Sequence, residues 1–233
     1  MIRKLSASDK HTTDLGWLRS HPYYSFGDYQ DEARMGFGVM RVFNDDYLAP
    51  GKGFGAHPHS DMEIVSIVLS GKIRHEDNLG NRVVTGFGEV QRMSAGSGII
   101  HTEFNASEEE ELRLLQLWFM PKERGVRPSY EAVKFQSEKL EGALLPVVSN
   151  QGPEDGTASI GQEMTIYLSK LTAGQTVSHN TVSSRKLFLF TIEGELSLIG
   201  ERLSSGDAAE IEDVGSLTLE AEKDCFFMLI DIP

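Results

Sequence analysis

The chain has 233 residues, 39% hydrophobic and 24% charged, enough for one large or two average domains with a real core. Its formal charge of −13 (22 basic against 35 acidic residues) repels a phosphate backbone and argues against direct nucleic-acid binding. The single cysteine, Cys225, excludes an intrachain disulfide; no run approaches the ~20 apolar residues of a membrane span and none follows Met1, so a cytoplasmic monomer is expected.

Helical periodicity is nearly absent, and short β-rich runs punctuated by glycine turns recur instead. Trp17 and the aromatics of residues 23–26 form a covering segment that also holds His11 and His21. Residues 36–43 (GFGVMRVF) read as a strand, residues 63–72 as a strand into a turn, and residues 72–77 as its returning partner. After a turn at 78–81, residues 83–93 and 111–120 continue the series. Residues 121–156 carry Pro121, Pro128, Pro146 and Pro153 with many charges, which reads as a linker holding one helix near residues 129–140. Strands resume at 164–171, 186–192, 195–199, 217–222 and 225–232.

The two halves echo each other. Residues 67–73 (IVLSGKI) align with 190–196 (FTIEGEL), 84–89 with 203–208, and 114–119 with 226–231. Each half is therefore expected to be an antiparallel double-sheet barrel, giving an all-β protein. The echo fails at the histidines. Counting back from Gly194 puts Asn180, Val182 and Lys186 where the first half has His57, His59 and Glu63, and His179 is the second half's only histidine.

Those histidines organise the first half. His57 and His59 lie in one tight group, and His101 with Glu103 in another. Residues two apart on a strand share a face, so each group sends both side chains the same way. Two such strands brought together across a barrel converge three imidazoles and a carboxylate on one point. Buried without a cation, that set leaves donors and acceptors expensively unpaired. It is a metal site in outline, and imidazole plus one carboxylate suits Fe(II), Mn, Co, Ni or Cu. His75, followed by Asp77, reads as a surface or hydrogen-bonding residue. The glycines of residues 51–55 lack a following Gly-Lys-Ser/Thr and read as turn and corner residues.

The pattern Gly-x5-His-x-His-x3-Glu-x6-Gly is met from Gly51 to Glu63, with its closing glycine, Gly71, one residue late. A looser second pattern takes Gly88, Gly96, His101 and Asn105, with Ser94 in place of proline and two extra residues before His101. Together with RVFNDD (residues 41–46), HED (75–77) and MSAGSGI (93–99), these motifs resemble the pirin family of two-cupin proteins, which includes bacterial quercetin 2,3-dioxygenase-like members. The resemblance implies two tandem cupin barrels of the jelly-roll type with few short helices: a metal-binding domain over residues 1–130 and a metal-free one over 131–233. It implies His57, His59, His101 and Glu103 as ligands of one divalent transition metal, Fe(II) favoured over Mn, Co, Ni, Cu or Zn, with Glu63 in an outer or structural role. The implied activity is a dioxygenase that opens a flavonol such as quercetin with O2 and releases carbon monoxide. Glu103, or alternatively Glu63, would take the 3-hydroxyl proton, inside an apolar wall of Val65, Ile67 and Leu69. The alternative is a metal-binding, redox-sensing regulator that acts through a protein partner without turnover.

Overall fold

The computed structural model describes residues 1–151 and 156–233; Pro153 of the expected linker lies outside the described residues. The first strands are β1 Ile2–Leu5, β2 Thr13–Asp14, β3 Leu18–Pro22, β4 Met40–Leu48, β5 Gly53–His59 and β6 Glu63–Ser70. They are followed by β7 Lys72–Asp77, β8 Arg82–Gly86, β9 Glu89–Ser94, β10 Ile99–Asn105, β11 Leu112–Phe119 and β12 Ser129–Lys134. The remainder are β13 Leu145–Ser149, β14 Ala158–Ser159, β15 Thr165–Leu171, β16 Thr176–Asn180, β17 Lys186–Leu198, β18 Glu201–Ser204, β19 Ala208–Ile211 and β20 Ser216–Ile232. Among the described residues the helices are two 3-10 turns, Ala7–Asp9 and Ser137–Leu140. Neither is long and apolar enough to cross a membrane.

The chain forms two compact units. One holds residues 11–135 and 150–162, the other 1–10, 136–149 and 163–233, so the chain passes between units several times rather than once after residue 130. Residues 1–10 belong with the C-terminal unit because β1 pairs with β19, from Ile2 opposite Ile211 to Leu5 opposite Ala208.

The histidine-bearing unit has two antiparallel sheets, one in the order β12-β9-β6-β11-β4-β3-β2 and one in the order β5-β10-β7-β8. Cross-strand register puts Asn44 of β4 opposite Gln116 of β11, Gln116 opposite Ser66 of β6, and Ser66 opposite Gln91 of β9. Directly opposed residues share a face, so a polar row crosses a sheet whose core is otherwise apolar. Val68, Leu48, Ile73 and Leu114 pack as an apolar cluster near it.

Two expectations are corrected here. Residues 129–134 are strand β12, not helix, paired with β9 from Ser129 opposite Ser94 to Lys134 opposite Glu89. The ladder on β9 outweighs the segment's weak local helical preference, and only Ser137–Leu140 makes a helical turn. Nor do Val65, Ile67 and Leu69 face the histidines. The chain turns at Asp61, whose φ is +47, and leaves the β5 sheet for the β6 sheet, so strand parity does not carry across. Ile64 and Ser66 face the site, and Glu63 shares the opposite face with Val65 and Ile67.

In the other unit the order is β1-β19-β17-β20-β15-β13, with β16 on β20 and β18 on β17. Its interior is apolar, packed from Leu187, Leu189, Leu196, Leu219, Phe227 and Leu229 among others. Cys225 sits in that cluster, and burial pushes its thiol up to about 11.

Candidate metal centre

β5 and β10 are antiparallel neighbours, and their register sets His101 directly opposite His57 and Ile99 opposite His59. Between His101 and Glu103 the register shifts, so Glu103 pairs with Phe54. A bulge of this kind re-aims side chains without ending the pairing. The close approach needs glycine at 53, where a Cβ would stand 2.1 Å from the Glu103 carbonyl oxygen and 2.5 Å from the Phe104 Cα.

The result brings three of the expected residues together. His57, His59 and His101 each offer a ring nitrogen within 4.8 Å of the others, and the Nε2 atoms of His57 and His101 are 2.9 Å apart. Glu103 stands beside this trio rather than in it, grouping instead with His101 and His75. Its carboxylate is buried, accepting from Gln116 Nε2 at 2.8 Å and from Ser66 Oγ at 3.3 Å. Glu63 is not at the histidines. It accepts from Ser94 Oγ at 2.6 Å and lines a separate cavity with Arg92, Arg127 and Ser159.

Of the two readings of His75, surface or hydrogen-bonding, the second holds. The residue is 1% exposed, stacks on Tyr130 (ring centroids 4.1 Å apart, planes 13° apart), and its Nε2 lies 3.0 Å from Asp77 Oδ2. Its Nδ1 is 3.4 Å from His101 Nδ1. Sequence reasoning also missed Trp118, whose ring lies 4.8 Å from that of His59, and the interior polar residues Asn44, Asp46, Gln116 and Ser66. The available signal was a polar residue alternating into an apolar strand, as in LLQLWF of β11.

The histidines open on a cavity of about 280 Å³ whose apolar walls include Leu15, Leu18, Phe26, Phe54, Ile64 and Trp118. Asn44, Asp46, Glu103 and Gln116 add polar groups to the lining. Both side-chain polar atoms of Asn44, and Oδ1 of Asp46, are buried without a hydrogen-bond partner.

Burial and neighbouring imidazoles disfavour charge on the His59 and His101 rings. Burial, reinforced by the neighbouring imidazoles, pushes His101 down to about 3, and burial with the nearby His57 pushes His59 down to about 4. Burial raises the Glu103 carboxyl to about 7, against the pull of Gln116 and Ser66, and raises Asp46 to about 7.

Proton counting then tests whether a cation fits. Four contacts run in series: Gly55 O to His57 Nδ1 at 2.7 Å, His57 Nε2 to His101 Nε2, His101 Nδ1 to His75 Nδ1, and His75 Nε2 to Asp77. Both ends are acceptors, so each contact needs one proton, whereas three neutral imidazoles carry only three. A fourth proton would make an imidazolium, which burial opposes at His101 and at His75. A cation between the two Nε2 lone pairs removes one contact's demand. The remaining three protons then satisfy the other three contacts, with every ring neutral. Three imidazole nitrogens with an adjacent carboxylate are a donor set for a divalent transition metal.

Comparison with known proteins agrees with this chemistry. The family model described as Pirin matches residues 5–119, and that of the quercetinase C-terminal cupin domain matches residues 146–232. The chain is 36% identical over 233 residues to a quercetin 2,3-dioxygenase of Escherichia coli, covering all of this chain and 99% of the relative. It is 38% identical over 218 residues to a pirin-like protein of Caulobacter vibrioides, covering 94% of each. Among solved structures it is similar to the bacterial pirin YhhW from Escherichia coli in complex with nickel(II), with a TM-score of 0.94 at 36% identity, over all of this chain and 99% of that one.

Proposed function

Since the chain belongs to the pirin family, we propose that it is a metal-dependent dioxygenase that opens a flavonol such as quercetin. The observation that carries this reading is the meeting of His57, His59 and His101 in an aromatic-lined cavity, beside a buried carboxyl poised near neutrality. His57, His59, His101 and Glu103 are assigned as the residues that hold one divalent ion, Fe(II) favoured. The nickel-bound relative supports a divalent metal of this kind. When bound, the ion supplies Lewis acidity and access to O2.

The remaining work falls to the chain's own side chains. Trp118, Phe26 and Phe54 offer faces and edges for a flat aromatic ligand, with the Phe26 and Trp118 rings 5.4 Å apart. Glu103, whose carboxyl burial raises to about 7 in the metal-free protein, is the carboxylate beside the histidines placed to take the 3-hydroxyl proton and return it later. Gln116 and Ser66 hold that carboxyl in place. Glu63 lines another cavity, which supports giving the base's role to Glu103. Leu15, Leu18 and Ile64 limit water around the reacting ring. In the balanced reaction both atoms of O2 enter the opened product, and one ring carbon leaves as carbon monoxide. The lone buried cysteine suits a reducing compartment, the cytoplasm.

The test is oxygen uptake and carbon monoxide release from quercetin by Fe(II)-loaded protein, with His101→Ala as the control. Turnover that His101→Ala abolishes supports the reading. No uptake across a panel of flavonols by protein that retains its metal would refute it, and would favour the regulator that acts through a protein partner.

A further inference from the structure

We propose that His75 and Asp77 form a positioning dyad that fixes the tautomer of His101, holding its Nε2 unprotonated toward His57 and His59, and thereby sets the affinity for a divalent metal ion. The inference rests on the metal-centre reading above and adds a tier of residues to it.

Asp77 anchors the dyad. Its Oδ1 accepts from the backbone N–H groups of Leu79 (2.9 Å) and Asn81 (3.1 Å), and its Oδ2 accepts from Asn81 Nδ2 at 2.8 Å. The turn after β7 thus locks the carboxylate as an acceptor that faces His75 Nε2. An acceptor there requires the proton of His75 to sit on Nε2, which leaves Nδ1 a lone pair. That lone pair meets His101 Nδ1 at 3.4 Å, so His101 must carry its own proton on Nδ1. Only then is His101 Nε2 free to donate its electron pair toward His57 and His59.

The rest of the fold serves the same alignment. β7 pairs with β10 so that Asp77 lies opposite His101, and His75 opposite Glu103. Tyr130 of β12 stacks on the His75 ring and fixes its plane. A carboxylate behind a histidine raises that ring's strength as a ligand, and removing such a partner costs ~10–100-fold in metal affinity. Here the effect passes through one extra imidazole.

Asp77→Asn is the sharpest perturbation. Its amide oxygen can still accept from the backbone N–H groups of Leu79 and Asn81, while its NH2 replaces the oxygen that took Asn81 Nδ2, faces His75 Nε2 and donates to it. His75 must then carry its proton on Nδ1, opposed to the proton on His101. We expect Zn(II) to bind Asp77→Asn and His75→Phe ~10–100-fold more weakly than the wild type by chelator competition, with partial rescue by His75→Gln, whose amide oxygen can accept from His101. In 15N spectra of the Zn(II)-loaded wild type, His75 should be protonated on Nε2 and His101 on Nδ1, and the His75 pattern should switch in Asp77→Asn. Wild-type affinity in both variants, or a proton on His75 Nδ1 in the wild type, overturns the proposal. If the variants do not fold, as judged by circular dichroism, the wild-type spectrum decides alone. A wild type that binds no Zn(II) sinks the metal-centre reading and this one with it, whereas tight binding untouched by the variants sinks only the dyad.

Discussion

Glu103→Gln separates what the buried carboxylate does for chemistry from what it costs the fold. Burial raises its pKa from 4.5 to about 7, partly offset by the hydrogen bonds from Gln116 and Ser66. Because the folded value lies above the unfolded one, the folded state holds more protons between those values. The carboxyl's contribution to stability is therefore fully present below about pH 4.5 and is lost as pH rises through about 7. A shift of about 2.5 units, the difference between 4.5 and about 7, corresponds to a loss on the order of 3 kcal/mol at ~1.4 kcal/mol per unit. The neutral amide escapes this loss and keeps both partners, accepting from Gln116 and donating to Ser66. Urea unfolding of the two metal-free proteins at about pH 5 and about pH 8.5 should show the variant gaining ~2–3 kcal/mol on the wild type between those conditions, while binding metal less well. A stability difference that stays the same at both pH values would refute the burial argument, and with it the use of Glu103 as a base near neutrality.

Other outcomes follow from the same geometry. Gly53→Ala should cost ~1–3 kcal/mol in thermal or urea unfolding and weaken metal binding, because its Cβ meets the Glu103 carbonyl at 2.1 Å and prises β5 from β10; an unchanged melting temperature would contradict the close approach. Asn44→Leu should stabilise the metal-free protein by ~1–3 kcal/mol, since both polar atoms of Asn44 are buried without a partner, and should weaken binding of hydroxylated flavonols. A loss of stability in that variant would mean that Asn44 is satisfied. His59 and His101, depressed to about 4 and about 3, give stability that is present above pH 6.5 and lost as pH falls through those values. Acid should likewise strip the metal, so metal content that holds from about pH 8 to about pH 4.5 would contradict a histidine site.

The histidine constellation was legible because spacing two apart on a strand is a local property that survives folding. The pairing of His57 with His101 could not be read the same way, since it depends on register between strands remote in sequence, but burial chemistry made convergence the economical outcome. Where local rules failed, a specific event broke them. Parity carried from His59 to Glu63 assumes an unbroken strand, and the left-handed turn at Asp61 moves the chain to another sheet, turning Glu63 away. His75 reads as a surface or hydrogen-bonding residue, and only the second holds, because strand β7 pairs with β10 and Tyr130 stacks on the ring, which keeps it from solvent. The segment 129–134 has no alternation strong enough to announce a strand, and the ladder on β9 decides its conformation.

The two units differ in what fills their interiors: one keeps a cavity at its histidines and the other is packed with apolar side chains. In the C-terminal unit the interior is filled by Leu187, Leu189, Leu196 and Phe227, and its histidine, His179, gives its Nε2 to Asp231, which also receives Arg185. A barrel filled with aliphatic side chains gains burial free energy but offers neither room nor lone pairs. The N-terminal unit gives up part of that gain to the polar row of Asn44, Gln116, Ser66 and Gln91 and to imidazoles short of one proton. Gln116, Ser66 and Gln91 find partners, but Asn44 does not, and an unsatisfied buried group costs stability unless something enters to satisfy it. The shortfall of one proton lies at the histidines and the unpartnered polar atoms lie at Asn44 and Asp46, two different walls of one cavity, which is the arrangement the proposed metal and flavonol would satisfy.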